Sequence, residues 1–149
     1  MNTLELLLRL AKIREDQAMA NARRATGQVN QAQGFQRQVL DYAKDYENQI
    51  MEGAKTGTSV AFIQDANAFR EKLLLSSAEI SNQIKGLSVN SEQALKVAMQ
   101  AKLRSQGLGK LVAKAHLEAR KKLARAELAQ LEDGYMARFN RNSGTENAW

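Results

Sequence analysis

Residues 52–59 read Glu52-Gly53-Ala54-Lys55-Thr56-Gly57-Thr58-Ser59, the strongest turn signal in the chain. Gly53 and Gly57 can each end a helix in the left-handed conformation, and the hydroxyl of Thr58 or Ser59 can cap the helix that follows. On the N-terminal side, steps of four and three pick out Leu4, Leu8, Ala11, Glu15, Ala18, Ala22, Ala25, Val29, Ala32, Gln36, Val39, Ala43, Tyr46 and Ile50. Only Glu15 and Gln36 in that series are polar. Such spacing holds one stripe on the inner side of a supercoiled helix. It predicts a helix from about Leu4 to Met51, roughly 70 Å long at ~1.5 Å per residue. The middle of the stripe is alanine, which lets helices approach closely and buries little surface.

On the C-terminal side a second stripe begins at Phe62 and continues through Ala66, Phe69, Leu73, Ser76, Ile80, Gln83 and Leu87. It fades between Asn82 and Asn90, where Asn90 and Gln93 could recap a helix. A single continuous helix is the preferred reading, because Ala94, Val97, Ala101 and Leu108 carry the stripe onward and no proline enforces a break. This helix is expected to run from about 60 to 139, leaving 140–149 as a flexible tail. The whole is one all-α domain over 1–139, a long antiparallel two-helix coiled-coil hairpin with its turn at 52–59. Proline is absent altogether, and aromatic content is only 5%. Both suit a long narrow seam better than a compact core.

A bend centred near residue 56 sets the expected register. Tyr46 then meets Ala66, Tyr42 lies near Phe69, Val39 meets Leu73, and Leu4 meets Leu108. Everything after Leu108 should project past the first helix with its own apolar positions: Val112, Ala115, Ala119, Leu123, Ala126, Leu131 and Tyr135. An amphipathic helix without an internal partner is a candidate for binding another protein. The excess positive charge lies in the C-terminal third, with eight basic residues and Glu118 alone between Lys102 and Arg125, and this overhang holds much of that cluster. That cluster suits an acidic protein, nucleic acid or anionic lipid, or is a solvated face. Gly27, Gly34, Gly86, Gly107 and Gly109 fall inside the helices at about 1 kcal/mol each. Gly107 and Gly109 are the expected hinge.

Catalytic chemistry is missing. There is no cysteine, and His116 is the single histidine. Its neighbours one turn away, Val112 and Arg120, offer no ligand pair, so neither a metal nor a cofactor is expected. Gly107-Leu108-Gly109-Lys110-Leu111 lacks the glycine spacing and the Ser or Thr of a phosphate loop. Asp41 and Asp45 read as a solvated pair. No secretory signal is evident, and no apolar run reaches the ~20 residues of a membrane span, which leads to the expectation of a cytoplasmic protein. The aromatic residues are more informative. Phe35, Val39, Tyr42 and Tyr46 share a flank of the first helix, and Phe62, Phe69, Leu73 and Ile80 line the second. Together they are wider than one seam, so part of the set should remain exposed as an interaction patch.

The stretch Gln38-Val39-Leu40-Asp41-Tyr42-Ala43-Lys44-Asp45-Tyr46-Glu47, a glycine-containing turn, and then Phe69-Arg70-Glu71-Lys72-Leu73 resembles the FliJ family of bacterial flagellar export proteins. The resemblance covers residues 4–138. It implies a non-enzymatic two-helix coiled coil similar to the central stalk of rotary ATPases. Such a stalk binds the hexameric flagellar export ATPase and promotes its assembly and activity. The resemblance also implies contact with the cytoplasmic part of the export gate and with substrate chaperones, in the cytoplasm and at the inner membrane of the flagellar base. The implied gate surface is Tyr42, Tyr46, Phe69, Leu73, Val39, Phe35, Ser76 and Ile80, of which Phe35, Ser76 and Ile80 depart from the family's residue types. The ATPase surface is expected on the terminal segment: Leu108, Lys110, Val112, Arg120, Lys121, Lys122, Leu131 and Tyr135. The family is usually rich in Leu, Glu and Lys where this chain has Leu108-Gly109-Lys110-Leu111. Two alternatives stay open. One is the injectisome counterpart of the stalk. The other is a basic helical hairpin binding nucleic acid, against which the basic stretch lacks interleaved aromatics. An amphipathic membrane-surface helix over 110–139 is disfavoured by its alanine-rich face.

Overall fold

The computed structural model describes residues 2–146, and over them the chain is two helices, α1 (Thr3–Thr56) and α2 (Val60–Glu146), packed as an antiparallel hairpin. Asn2 caps α1 through Oδ1, which accepts the Glu5 amide at 2.9 Å. The far end of α1 closes on Gly57, whose φ of 79° no other described residue approaches. The Thr58 amide reaches back to the Gly53 carbonyl at 3.0 Å, the six-to-one bond of a Schellman cap, and Thr58 Oγ1 donates to the same carbonyl at 2.9 Å. Ser59 Oγ then accepts the Phe62 amide at 3.3 Å and starts α2. Of the two candidate glycines only Gly57 is left-handed. Gly53 stays helical and buried, and a Cβ there would stand 2.9 Å from Thr58 Oγ1.

Every member of the α1 stripe is buried or half-buried, Glu15 and Gln36 included. On α2 the buried line differs from the expected one. It runs Ile63, Ala66, Arg70, Leu73, Ser77, Ile80, Ile84, Leu87, Ser91, Ala94, Ala98, Ala101, Ser105, Leu108, Val112 and Ala115, an unbroken alternation of three and four. Phe62, Phe69 and Gln83 are exposed, and Val97 with them. The expected stripe matches at every second position and falls one residue early at the others. Ser77, Ser91 and Ser105 are buried two heptads apart, and polar residues at inner positions disguise the pattern.

The described part of the chain divides into two compact units, Lys12–Lys102 and the described parts of Met1–Ala11 with Leu103–Trp149. In the first, Ala18, Ala22 and Ala98 form the tightest cluster, with Ala94 and Ala101 against it. Gln36 donates across the seam to the Ser77 carbonyl at 3.1 Å and also reaches Ser81 Oγ. Thr26 and Ser91 pair through their hydroxyls at 3.1 Å. The Tyr46 ring meets Phe69 instead of lying opposite Ala66, with centroids 4.9 Å apart. In the second unit, a Cβ on Gly109 would touch Leu8, and His116 Nε2 lies 2.9 Å from Glu5 Oε1. The register is therefore displaced by several residues from the expected one, because the turn is Gly57–Ser59 and α1 continues past Met51 to Thr56. Leu108 and Val112 belong to the seam, and exposure of α2 begins at His116.

α2 passes through Gly86, Gly107 and Gly109 without leaving the helical conformation, so neither a break near Asn90 nor a broken helix at Gly107–Gly109 is present. It also continues beyond Phe139 to Glu146, where a tail was expected from 140; residues 147–149 lie outside the described residues.

Two glycine substitutions should move stability in opposite directions. Gly57→Ala places a side chain at φ 79° and should cost about 1–2 kcal/mol. Gly34→Ala adds a Cβ with nothing within 4 Å and should gain about 0.5–1 kcal/mol. Circular-dichroism melts measure both; an unchanged melt for Gly57→Ala would contradict the left-handed cap.

Candidate partner-binding surfaces

Residues one position before the inner a positions of each helix form a common edge, because in antiparallel pairs the g positions of the two helices lie on one side. On α1 these are Phe35 and Tyr42; on α2 they are Phe62, Phe69, Ser76 and Gln83. The edge is rich in exposed rings: Tyr42 is 60% accessible, Phe35 56% and Phe69 46%. Tyr46, an inner residue, leans out to touch Phe69 with its ring plane tilted by 52°, and so joins the edge to the seam. A shallow groove opens beside Phe35, floored by Gly34 and Leu87 and rimmed by Gln28, Gln31 and Gln38.

The eight residues expected at the gate surface therefore fall into three depths. Phe35, Tyr42 and Phe69 are exposed; Tyr46, Leu73 and Ser76 are half-buried beside them; Val39 and Ile80 are buried in the seam. Val39 and Ile80 act through packing and present no side chain to a partner. Phe62, part of the aromatic set expected to be partly exposed but not of the expected gate surface, is also exposed on the same edge. Arg70 carries no signal in the sequence that marks it as a site residue. It occupies an inner position next to Phe69, and its Nε is shielded without a hydrogen-bond partner. The opposite edge carries a smaller apolar patch at Leu74 and Leu75, which the stripe reading skips.

The terminal segment of α2 is exposed from His116 to Gly144, apart from half-buried Ser143. Arg120, Lys121 and Lys122 are all exposed, as are Leu131 at 72% and Tyr135 at 70%. Lys110 is exposed further back. Leu108 and Val112, expected in the same surface, are instead half-buried against the first turns of α1. That relocation is a correction: a later turn moves the end of the seam toward the C-terminus. His116, for which the sequence offered no ligand pair, is exposed and hydrogen-bonded to Glu5, a partner distant in sequence. Among the described residues no group of His, Cys, Asp and Glu is placed to hold a metal ion. No described helix is long and apolar enough to cross a membrane.

The model of the flagellar FliJ protein family matches residues 1–144. The chain belongs to the FliJ family. No significant similarity to a curated protein or to a solved structure was found. Membership makes this chain a component of the flagellar export apparatus, in a family that is not enzymatic.

The depth of each ring makes a stability prediction. Tyr42→Ala should change the melting free energy by no more than about 0.5 kcal/mol, as expected of an exposed residue. Tyr46→Ala and Phe69→Ala each lose the ring contact, and a double-mutant cycle between them should report a coupling of about 0.5–1.5 kcal/mol. Zero coupling would mean that the two rings do not support each other in solution.

Proposed function

We propose that this FliJ-family chain is the stalk of the flagellar export ATPase and that its two units serve different partners. The observation that carries the reading is the presence of two exposed surfaces of different chemistry, one on each unit. The Lys12–Lys102 unit presents the aromatic edge of Phe35, Tyr42 and Phe69. Large rings of this kind commonly dominate interface energy, at about 2 kcal/mol or more for a central anchor. This edge is the proposed contact for the cytoplasmic part of the export gate, with Tyr46 and Leu73 supporting it from beneath. Phe35 adds a further ring at its far end.

The other unit presents a single exposed helix bearing Arg120, Lys121, Lys122, Leu131 and Tyr135. That helix is the proposed contact for the hexameric ATPase, with Lys110 at its near end. Insertion of a basic, apolar-striped helix favours assembly of the ring and raises its activity. Neutralisation of basic side chains by an acidic ring interior would accelerate docking and make it sensitive to salt. Leu108 and Val112 keep a part in this reading by anchoring the helix to α1. Handling of substrate chaperones and peripheral placement at the inner membrane of the flagellar base complete the proposal. It includes no small-molecule substrate or cofactor.

Separate loss of the two contacts tests the assignment. Tyr42→Ala should abolish capture of the gate's cytoplasmic domain while leaving stimulation of ATP hydrolysis intact. Reversal of Arg120, Lys121 and Lys122 to Glu should do the opposite and flatten the salt dependence of ATPase binding. Loss of both activities in either variant, with the melt unchanged, would show that the surfaces are not divided between partners as proposed.

A further inference from the structure

The exposed segment of α2 carries its own coiled-coil strip, on a different face from the seam. Leu117, Lys121, Ala124, Leu128, Leu131 and Tyr135 recur at steps of four and three, all of them exposed. The inner line of the hairpin, continued past Ala115, would instead meet Ala119, Lys122, Ala126, Ala129, Asp133 and Met136, all small or charged except Met136. The apolar line thus changes face where α1 ends. Leu128 is 57% accessible, and a shallow groove lies along Leu131, Tyr135 and Met136. Apolar surface of this kind on a helix end marks a place that another helix covers.

The charges say which helix. Residues 119–126 hold Arg120, Lys121, Lys122 and Arg125 and no acid, whereas residues 127–134 hold Glu127, Glu132 and Asp133 and no base. A second copy laid antiparallel about a centre near residue 130 sets the basic Arg125 of each copy beside the acidic Glu132 of the other; a parallel copy would set like against like. The segment begins after His116, where pairing with Glu5 ends the contact with α1. Alignment of the two apolar strips fixes the register: the alignment whose centre lies nearest the middle of residues 117–143 has it between Ala129 and Gln130. In that register Leu128 of each copy faces Leu131 of the other, the small Ala124 faces Tyr135, and Arg125 flanks Glu132. Lys121 and Arg138 share the outer layers, where long side chains reach water.

We propose that this chain self-associates through residues 117–143 of α2 as an antiparallel, twofold-symmetric pair. The interface is isologous and closed, so it forms a dimer and does not grow into filaments. It covers the same strip that carries the proposed ATPase contact, so a paired chain is withheld from the ATPase and a docked chain is unpaired. The pairing itself rests only on the residues of one chain and is tested with the purified full-length protein.

Light scattering should give a mass rising with concentration from 16.6 kDa towards twice that value. Arg125→Glu and Glu132→Arg, each alone, should weaken dimerisation at least tenfold with helicity unchanged, because each sets like charges across the twofold axis. An equimolar mixture of the two variants should restore the dimer, since one variant then carries only acids at the two positions and the other only bases. Spin labels at Gln130 should approach within about 15 Å between chains, and labels at Leu117 should lie roughly 40 Å apart at ~1.5 Å per residue. A mass fixed at the monomer value, failure of the mixture to recover, or close approach of the Leu117 labels would each overturn the proposal.

Discussion

Gln36 reaches across the hairpin to the carbonyl of Ser77 and the hydroxyl of Ser81, and the rest of the structure depends on that crossing. A seam of alanines has little shape to distinguish one register from the next, since neighbouring heptads offer nearly the same small holes. Polar groups distinguish them sharply, because a buried amide or hydroxyl without its partner costs about 1–3 kcal/mol. Thr26 with Ser91 makes a second such contact in the Lys12–Lys102 unit. In the other unit the pairing of Glu5 with His116 marks where α1 stops covering α2. Single polar residues at inner positions are known devices for register. Here they do what bulky side chains do in other coiled coils.

Once that register is set, the aromatic edge follows. Tyr46 sits at an inner position and Phe69 just outside one, so their rings can meet only if α1 and α2 are aligned as Gln36 and Ser77 align them. Their contact leaves Tyr42 and Phe35 exposed along the same side. No large side chain among the described residues is fully buried, and the molecule keeps much of its apolar surface accessible. A FliJ-family chain of this kind holds little surface back for its own core and presents the remainder to partners.

The terminal segment follows the same pattern. α2 outlasts α1, and its apolar line shifts to a new face where the coverage ends. Arg125 and Glu132 on this segment are complementary when two copies run in opposite directions, which is the basis of the proposed pairing. The glycines within both helices do not interrupt them, since packing along the seam offsets their modest conformational cost.

Local chemistry in the sequence determined the all-α class, the inner stripe of α1 and the neighbourhood of the bend. Each rests on contacts within a turn or two of helix: heptad spacing, a glycine able to take positive φ, a serine cap, the absence of proline. The family's tyrosine pair, with the Phe and Leu beyond the turn, was equally legible. Tertiary structure alone decided the phase of the α2 stripe, because Ser77, Ser91 and Ser105 are inner residues only by virtue of what faces them. It decided that Val39 and Ile80 are packing residues while Tyr42 and Phe35 are exposed, and that Leu108 and Val112 lie beneath α1. It also joined His116 to Glu5, a pair invisible to any window of neighbouring residues. The physical reason is common to all of these: a shift of a few residues in the turn costs almost nothing locally, yet it changes every partner across the seam.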